Sequence, residues 1–232
     1  MGQAQASKCE AVSGPGTTAL VELYTSEGCN SCPPADRWLS TLKPGKVVPL
    51  SLHVDYWDYI GWKDPYAKRE FSQRQRKLST LQRMALVYTP QVLLQGRDFR
   101  QWGTPVFAKE VERINARPAG ARIRLAIASM SARSVAVEAE AEVLDRAQAK
   151  DAALFIAAYE NRLSSKVTAG ENRGEVLKHD YVVLEWLEVP GLAVRKDLPL
   201  LPKAIPANSG VAAFVQNRRT GEVLQALMQS GC

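Results

Sequence analysis

Two cysteines, Cys29 and Cys32, stand two residues apart at the point where an apolar stretch gives way to a helical one. Residues 18–25 are mostly apolar and predict a buried strand, with Glu22 as its one charged member. Gly28 predicts the turn that follows the strand. A C-x-x-C pair between a strand and a helix is typical of a thiol–disulfide redox site. We therefore expect the rest of the chain to position, shield or present this pair.

The helix after the strand is predicted to begin near Cys29 or Asn30, to include two prolines in its first turn, and to end near Leu42. The unpaired backbone donors and the dipole at a helix N-terminus stabilise a thiolate. They would lower the pKa of Cys29 below the value of about 8.5 for a free cysteine. Cys32 would lie one turn further along and be less exposed. This predicts Cys29 as the nucleophile and Cys32 as the thiol that resolves the mixed disulfide.

The same cysteine pair allows other interpretations. It could be a plain structural disulfide. A structural zinc site needs two further cysteine or histidine ligands nearby, but the only histidines, His53 and His179, lie in separate segments. Copper(I) bound by both thiolates, with His53 as a further ligand, stays open because soft thiolates favour that ion. We expect no cofactor and no resident metal, and the alternative function is a copper-binding or partner-docking protein with a structural C-x-x-C.

A second motif, Thr89-Pro90, stands directly before Gln91-Val92-Leu93-Leu94-Gln95-Gly96, which predicts a mainly apolar strand that ends in a hairpin turn. A proline makes a cis peptide bond accessible at modest cost. In thioredoxin-like folds a cis-proline packs beside the cysteine pair and leaves the preceding backbone free to pair with a bound peptide. The order of the two motifs in the chain predicts that Thr89 and Pro90 belong to the site.

Two ionisable side chains could supply a base. Glu22 lies on the strand that leads to the cysteines, and a buried carboxylate there could accept the proton of Cys32. The alternative for Glu22 is a strand-end glutamate in solvent. His53 could be a catalytic base, although a histidine in an apolar strand is more often a packed one.

The first half of the chain alternates between strand and helix patterns. Apolar runs and helical stripes predict strand, helix, strand, helix, strand, strand and helix at residues 18–25, 29–42, 47–55, 64–84, 91–94, 99–102 and 104–116. An aromatic-rich loop is expected at residues 56–62. This order predicts a mixed four-stranded sheet with helices on both faces, which is the thioredoxin arrangement.

Pro118-Ala119-Gly120 marks the change to a second pattern. Beyond it, six or seven short strands with period-two alternation predict an antiparallel β-sandwich-like domain. We therefore predict two domains: an α/β thioredoxin-like domain with a helical insertion over residues 18–117, and the sandwich-like domain over residues 121–232.

The net charge of +6 is concentrated on the predicted helix around residues 68–83. A basic helix can meet nucleic acid or an anionic membrane surface, but no nucleic-acid motif accompanies it, so a solvated helix face is the simpler interpretation. No run approaches the roughly 20 apolar residues that span a bilayer. Residues 1–7 resemble a start residue placed before a mature N-terminus, so we expect an export signal to have been removed.

The two remaining cysteines, Cys9 and Cys232, lie near opposite ends of the chain. An even number of cysteines with these two outliers predicts a structural disulfide between them. That bond would require an oxidising compartment. Two unrelated thiols are the alternative.

Four segments carry a distinctive combination of residues: 21–39, 53–65, 87–91 and 160–183, the last including Ala169-Gly170-Glu171-Asn172. They closely resemble a bacterial family of secreted thioredoxin-like proteins of unknown function. The resemblance covers about residues 20–230 and implies a thioredoxin fold, a β-rich C-terminal domain and export to the periplasm. It implies no activity, because members of the family are generally uncharacterised.

Within that resemblance, Cys29, Cys32 and Thr89-Pro90 carry over position by position, and Glu22 carries over less closely because its spacing from Cys29 is one residue longer than in thioredoxin. The sequence therefore predicts a periplasmic or secreted thiol–disulfide oxidoreductase. Its expected partners are cysteine-containing client proteins and a redox partner.

Overall fold

A computed structural model describes residues 9–200 and 204–231. Within these ranges the chain forms a mixed α/β fold in which most strand pairs are antiparallel. The strands form an eight-stranded sheet, a four-stranded sheet and a separate two-stranded hairpin. No helix in the described ranges is long and apolar enough to cross a membrane.

The strands, in chain order, are β1 (Cys9–Val12), β2 (Ala19–Thr25), β3 (Val47–His53), β4 (Gln91–Leu94), β5 (Arg97–Asp98), β6 (Ala121–Met130), β7 (Ser134–Val143), β8 (Ala152–Glu160), β9 (Leu163–Lys166), β10 (Val176–His179), β11 (Val182–Glu188), β12 (Ala193–Pro199), β13 (Ser209–Asn217) and β14 (Val223–Ser230). The α-helices are α1 (Pro33–Ser40), α2 (Arg69–Leu81), α3 (Pro105–Asn115) and α4 (Arg146–Ala149). Two short 3-10 helices span Asp55–Ile60 and Pro206–Asn208.

The eight-stranded sheet contains strands from both halves of the chain. Its order is β14-β13-β8-β11-β3-β2-β4-β5. β3 is parallel to β2 on one side and to β11 on the other, where Val182 pairs with Ser51 and the Ser51 N–H donates to the Tyr181 carbonyl at 2.8 Å. The sheet thus continues across the predicted boundary at residues 118–120. The division into domains 18–117 and 121–232 stays a prediction.

The core consists of three hydrophobic clusters, one between the two larger sheets and one on each face of β2. The four-stranded sheet β1-β6-β7-β12 packs on the β8, β11 and β13 part of the larger sheet, which buries an aliphatic cluster between the two sheets. On β2, Leu20 and Tyr24 face α2, whereas Val21 and Leu23 face α1 and α3. Because successive side chains of a strand point to opposite faces, β2 is buried on both sides and is apolar almost throughout.

Helix α1 begins at Pro33, so its predicted start at Cys29 or Asn30 is wrong. A helix that began there would need the N–H groups of residues 33 and 34 as donors to the first carbonyls, and both residues are proline. The first i to i+4 bond instead runs from the Asp36 N–H to the Cys32 carbonyl. Cys32 is therefore the N-cap residue, and Cys29 lies before the helix.

Helix α2 is shorter than the predicted span of 64–84, because Asp64 does not cap it. The Asp64 carboxylate accepts from the backbone N–H groups of Glu27 and Tyr66 and contacts His53. The aromatic loop expected before it contains the 3-10 helix Asp55–Ile60.

The return strand predicted at residues 99–102 is wrong, because the chain returns earlier, as β5 at Arg97–Asp98. Gln95 and Gly96 both have positive φ, at 53° and 75°, so a two-residue turn brings the chain back at once. The predicted helix after Thr104 is confirmed, and the Thr104 hydroxyl caps α3 by accepting from the Val106 N–H.

Candidate functional site

The two cysteines lie in the turn between β2 and α1, and their Sγ atoms form a disulfide. The turn is held by the Cys29 N–H, which donates to the Ser26 carbonyl, and by the Cys32 N–H, which donates to the Cys29 carbonyl. Both cysteines are buried, at 1% and 0% exposure. The Cys29 Sγ lies 3.3 Å from the hydroxyl of the exposed Ser31. Both sulfurs are therefore shielded from solvent in the oxidised form, and Ser31 is an exposed residue beside Cys29.

A loop from the second half of the chain covers this turn. The loop comprises residues 167–175, between β9 and β10, and is called the covering loop below. The Asn172 side chain donates to the carbonyls of Glu27 and Cys29, at 2.8 and 3.1 Å. The Glu171 carboxylate accepts from the Asn30 N–H at 3.1 Å. Access to Cys29 from this side requires the covering loop to move.

The Thr89-Pro90 peptide bond is cis, the form that the proline makes accessible. Its link to the cysteine turn is Trp57, whose indole N–H donates to the Thr89 hydroxyl at 2.7 Å. The Cβ of the same tryptophan lies 3.0 Å from the point where a side chain on Gly28 would begin, so this position has no room for one. Trp57 thus connects Thr89 to the backbone that precedes Cys29.

A groove with a volume of about 620 Å³ runs beside Pro90. It is lined mainly by apolar and aromatic side chains, namely Met84, Ala85, Leu86, Val87, Tyr88, Pro90, Val92, Phe99 and Trp102, together with Arg100. Trp102 in turn contacts Trp38 on α1, with ring centroids 5.1 Å apart. The groove therefore lies between the cis-proline and the helix that follows the cysteines.

Glu22 is buried, so the solvent-exposed alternative for it is wrong. Its carboxylate forms a two-pronged ion pair with Arg74 of α2, with distances of 2.6 and 3.1 Å, and accepts from the Tyr24 hydroxyl at 3.2 Å. Residues 22 and 25 of a strand point to opposite faces, and it is Thr25 that points toward α1. The structure therefore does not bring Glu22 to the cysteine pair, and its predicted role as the acid beside Cys32 has no support in the geometry.

Three other acidic residues, Asp64, Glu27 and Asp36, lie near the cysteine turn. His53, fully buried at the end of β3, contacts the Asp64 carboxylate through its Nδ1 at 2.7 Å. The same Asp64 oxygen accepts from the Glu27 N–H at 2.8 Å, two residues before Cys29. His53 is thus a packed histidine, as the sequence indicates, but it also belongs to a network of charged side chains.

The second histidine completes this network from the other half of the chain. His179, at the end of β10, contacts the Glu27 carboxylate through its Nε2 at 3.1 Å. The other Glu27 oxygen accepts from the Trp62 indole N–H at 2.9 Å. The two imidazole rings pack edge to face with centroids 4.9 Å apart. Both histidines of the chain therefore meet directly under the cysteine turn.

Asp36 of α1 is the carboxylate nearest in sequence to the cysteines in this network. Its Oδ2 accepts from the Thr25 hydroxyl at 3.1 Å. Its Oδ1 lies 4.0 Å from the Nδ1 of His179, and neither of these two buried atoms has a hydrogen-bond partner within the described ranges. Asp36 is not among the residues predicted above, although its position four residues after Cys32 places the two on the same side of the helix.

Burial and neighbouring charges act on these groups in different ways. Burial raises the pKa of Asp36, although His179 and His53 work against this effect. Burial works to lower the pKa of His53, but the adjacent Asp64 carboxylate outweighs it and the pKa is raised. For Asp64 the balance is reversed: burial works to raise its pKa, and the contact with His53 lowers it. The opposed directions for His53 and Asp64 are those of an ion pair, whereas for Asp36 the effect of burial exceeds that of the two histidines.

Two further predictions concern metals and the second disulfide. Within the described residues, no group of three or more histidine, cysteine, aspartate or glutamate side chains is arranged to hold a metal ion. Cys9 lies in β1 at 8% exposure. Its predicted partner Cys232 lies outside the described residues, so the bond between the two stays a prediction.

Comparison with known proteins gives a family and a fold. The model of a family described as a protein of unknown function (DUF1223) matches residues 20–216. No curated protein matches the chain. A crystal structure of a protein from Agrobacterium tumefaciens superposes with a TM-score of 0.67 at 23% identity and covers 95% of this chain and 97% of that one.

A second solved structure, HBP35 of Porphyromonas gingivalis, superposes with the same TM-score of 0.67 at 14% identity. It covers 94% of this chain and 76% of that one. At such low identities, both likenesses show a shared fold and nothing about activity.

Proposed function

We propose that this chain, which belongs to the DUF1223 family of proteins of unknown function, is a thiol–disulfide oxidoreductase that acts on cysteines of other proteins. The observation that carries the proposal is the Cys29–Cys32 disulfide between β2 and α1, linked through Trp57 to a cis Thr89-Pro90 bond. A structural disulfide alone would need neither the cis-proline nor the apolar groove beside it.

The fold around the pair supports a thioredoxin-like arrangement as part of this proposal. β3, β2, β4 and β5 are neighbours in the sheet, with β2 parallel to β3 and antiparallel to β4. α1 and α3 cover one face of these strands, and α2 covers the other. The cysteine turn then stands at the carboxyl end of β2, where ligands and reactive groups gather in α/β sheets.

In the proposed reaction, a client thiolate attacks the Cys29 Sγ and the Cys29–Cys32 bond breaks, with its electron pair leaving on Cys32. A second client thiolate then attacks the client sulfur of the mixed disulfide and releases Cys29. The reverse sequence reduces a client disulfide, with Cys29 as nucleophile and Cys32 as the resolving thiol. We assign the first role to Cys29 because it lies in the turn before α1, whereas Cys32 is the N-cap residue of the helix.

Clients with disulfides place the protein in an oxidising compartment, so the proposal includes the periplasm or the extracellular space as its location. The groove beside Pro90 would hold the client segment that flanks the reacting cysteine. The redox partner that restores the pair is the second partner that the proposal requires.

The direct test is the reduction of insulin disulfides with dithiothreitol as the electron source. We expect the wild-type protein to accelerate the reaction, Cys29→Ser to fall to the uncatalysed rate, and Cys32→Ser to retain clients as mixed disulfides on non-reducing gels. A double serine variant provides the matched control. Equal rates for wild type and this variant, with no trapped client, would contradict the proposal.

The reduction potential of the Cys29–Cys32 pair then assigns the direction. A value near about −270 mV indicates a reductase and one near about −120 mV an oxidant, whereas a value below about −300 mV indicates a structural bond and would overturn the proposal. The alternative function is a copper carrier. It would be supported, and the oxidoreductase proposal contradicted, if the protein retained one copper(I) ion per chain through gel filtration and Cys29→Ser lost it.

A further inference from the structure

The covering loop places a carboxylate on the cysteine turn. Glu171 Oε2 accepts from the backbone N–H of Asn30 at 3.1 Å, and Asn30 is the residue directly after Cys29. Bond lengths and angles keep a cysteine Sγ within about 5 Å of the next backbone nitrogen, so this carboxylate oxygen lies within about 8 Å of the Cys29 Sγ. A negative charge is thus held close to the sulfur that the proposed function makes the nucleophile.

Both neighbours of Glu171 in the covering loop are fixed, although Glu171 itself is exposed. Gly170 has φ at 72°, and a Cβ on it would lie only 3.2 Å from Ile60. The buried side chain of Asn172 donates to the Cys29 carbonyl at 3.1 Å. The position of the carboxylate is therefore set by its neighbours as well as by its own hydrogen bond. An exposed charge acts on a neighbouring group most effectively when both are held in one geometry.

The charge of Glu171 is not compensated by a basic side chain. No ion pair in the part of the chain that the structure describes contains this residue. The Ser31 hydroxyl, 3.3 Å from the Cys29 Sγ, can donate to a thiolate, but it carries no charge. The other ionisable side chains of the network are buried beneath the turn, and four of them form pairs: His53 with Asp64, and His179 with Glu27, while Asp36 accepts from Thr25.

We propose that Glu171 opposes the thiolate form of Cys29 and thereby directs the Cys29–Cys32 pair toward the reduction of client disulfides. This inference rests on the proposed function. Reduction of the pair takes up two electrons and one proton when Cys29 becomes a thiolate and Cys32 a thiol. The Glu171 carboxylate repels the new negative charge on Cys29, whereas the disulfide carries no charge. The disulfide is therefore favoured over the reduced pair, so the reduction potential is lower and the reduced pair is the stronger electron donor.

The first test is the pH dependence of alkylation by iodoacetamide in the Cys32→Ser background, followed by mass spectrometry of the peptide that contains Cys29. The thiolate is the reactive form, so the midpoint of the profile reports the ionisation of Cys29. Glu171→Gln removes the charge and keeps an oxygen that can accept from the Asn30 N–H. We expect it to move the midpoint down by about 0.5 pH unit, which is about a threefold change in the ionisation constant for an exposed charge at this separation. Glu171→Lys should move the midpoint further in the same direction.

The second test is the equilibrium of the Cys29–Cys32 pair with glutathione. Above the midpoint, the same threefold factor should appear in the equilibrium constant, so Glu171→Gln should raise the reduction potential by about 14 mV, at about 29.6 mV for a tenfold change. Well below the midpoint the difference should disappear, because reduced Cys29 is then a neutral thiol. It should also shrink in 1 M salt, which screens the charge. A variant that only disturbed the loop would change the potential equally at both pH values, and that result would overturn the inference.

Glu175→Gln is the matched control, because Glu175 is an exposed acid at the other end of the covering loop. We expect its midpoint and its potential to match those of wild type. An unchanged midpoint and potential in both Glu171 variants, or an equal change in Glu175→Gln, would also overturn the inference. Iodoacetamide and glutathione report on the pair even if insulin is not reduced, so failure of the inference and failure of the proposed function remain distinguishable.

Discussion

At the residue scale, Glu22 and Asp36 are both buried carboxylates close to the cysteine strand, but their partners differ. Glu22 faces a guanidinium that is itself enclosed by the rings of Phe155, Trp186 and Phe214, at 4.6 to 5.2 Å. Asp36 faces a hydroxyl and an imidazole. A two-pronged contact with arginine is charge-assisted and fixes the carboxylate in place, whereas a hydroxyl provides a single neutral hydrogen bond. The ion pair with Arg74 therefore supports a structural role for Glu22, whatever its distance from the cysteines along the chain.

The Glu22–Arg74 pair should therefore matter for stability. We expect Arg74→Met to lower the free energy of unfolding by about 3–5 kcal/mol, because it leaves the Glu22 carboxylate buried without its counterion. Urea unfolding at pH 7 measures this loss. The double variant Glu22→Gln/Arg74→Met should recover much of it, and equal losses in the single and double variants would contradict this interpretation.

The His53–Asp64 pair should give stability a defined pH window. The pKa of His53 is raised above 6.5, so its contribution is complete below that value and is lost as the pH rises through the folded pKa. The pKa of Asp64 is lowered below 3.8, so its contribution is present above that value and is lost as the pH falls through the folded pKa. A double-mutant cycle with His53→Gln and Asp64→Asn should give a larger coupling at pH 5.5 than at pH 9. A coupling that does not change with pH would count against an ion pair.

At the element scale, the disulfide is attached to two elements: Cys32 is the N-cap of α1, and the covering loop bonds to the Cys29 carbonyl. The Asn172 side chain of the loop donates to the carbonyls of Glu27 and Cys29, and a Cβ on Gly170 would lie only 3.2 Å from Ile60. Gly170 also has φ at 72°, a conformation that favours glycine. Gly170 thus allows the backbone conformation of the loop, and Asn172 binds the loop to the cysteine turn.

Detaching the loop should expose the disulfide. We expect Asn172→Ala to increase the rate at which dithiothreitol reduces Cys29–Cys32 by about tenfold, because the variant loses two hydrogen bonds worth about 0.5–1.5 kcal/mol each. Asn115→Ala is the matched control, since Asn115 also makes two bonds to backbone groups, at the end of α3. Faster reduction in both variants would indicate a general loss of stability and would contradict a local role for the loop.

The elements were easier to predict than the site. Apolar runs located β2, β3 and β4, and Thr104 with the following proline located the start of α3, because burial and capping leave local patterns. The predicted start of α1 is wrong because prolines are tolerated only in the first turn of a helix, and a start at residue 29 or 30 leaves Pro33 and Pro34 at or beyond the end of that turn. The partnership of Glu27 with His179 joins positions 152 residues apart, and no local pattern can indicate such a contact. The sequence therefore shows His53 and His179 as unrelated residues, whereas the fold packs their rings together.

At the scale of the whole molecule, both halves of the chain build one sheet and one site. β11 from the second half is hydrogen-bonded to β3 from the first, and β1 from the start of the chain belongs to the smaller sheet. The covering loop and His179 reach the cysteine turn from the second half. The site is incomplete in residues 18–117 alone, even though they hold both cysteines.

This continuity predicts a single unfolding transition. We expect tryptophan fluorescence, which reports mainly on Trp38, Trp57, Trp62 and Trp102 of the first half, to change at the same urea concentration as the far-ultraviolet circular dichroism of the β-rich second half. Separate midpoints would show that the two predicted domains unfold independently.

The attachment of the covering loop also has a consequence for kinetics. If a client can reach Cys29 only while Asn172 is detached, the loop must open before each reaction. The observed rate then rises with client concentration only until every opening leads to reaction, and beyond that point it equals the opening rate. Chemically different clients should share this limiting rate, and they would be distinguished by the concentration at which they reach it.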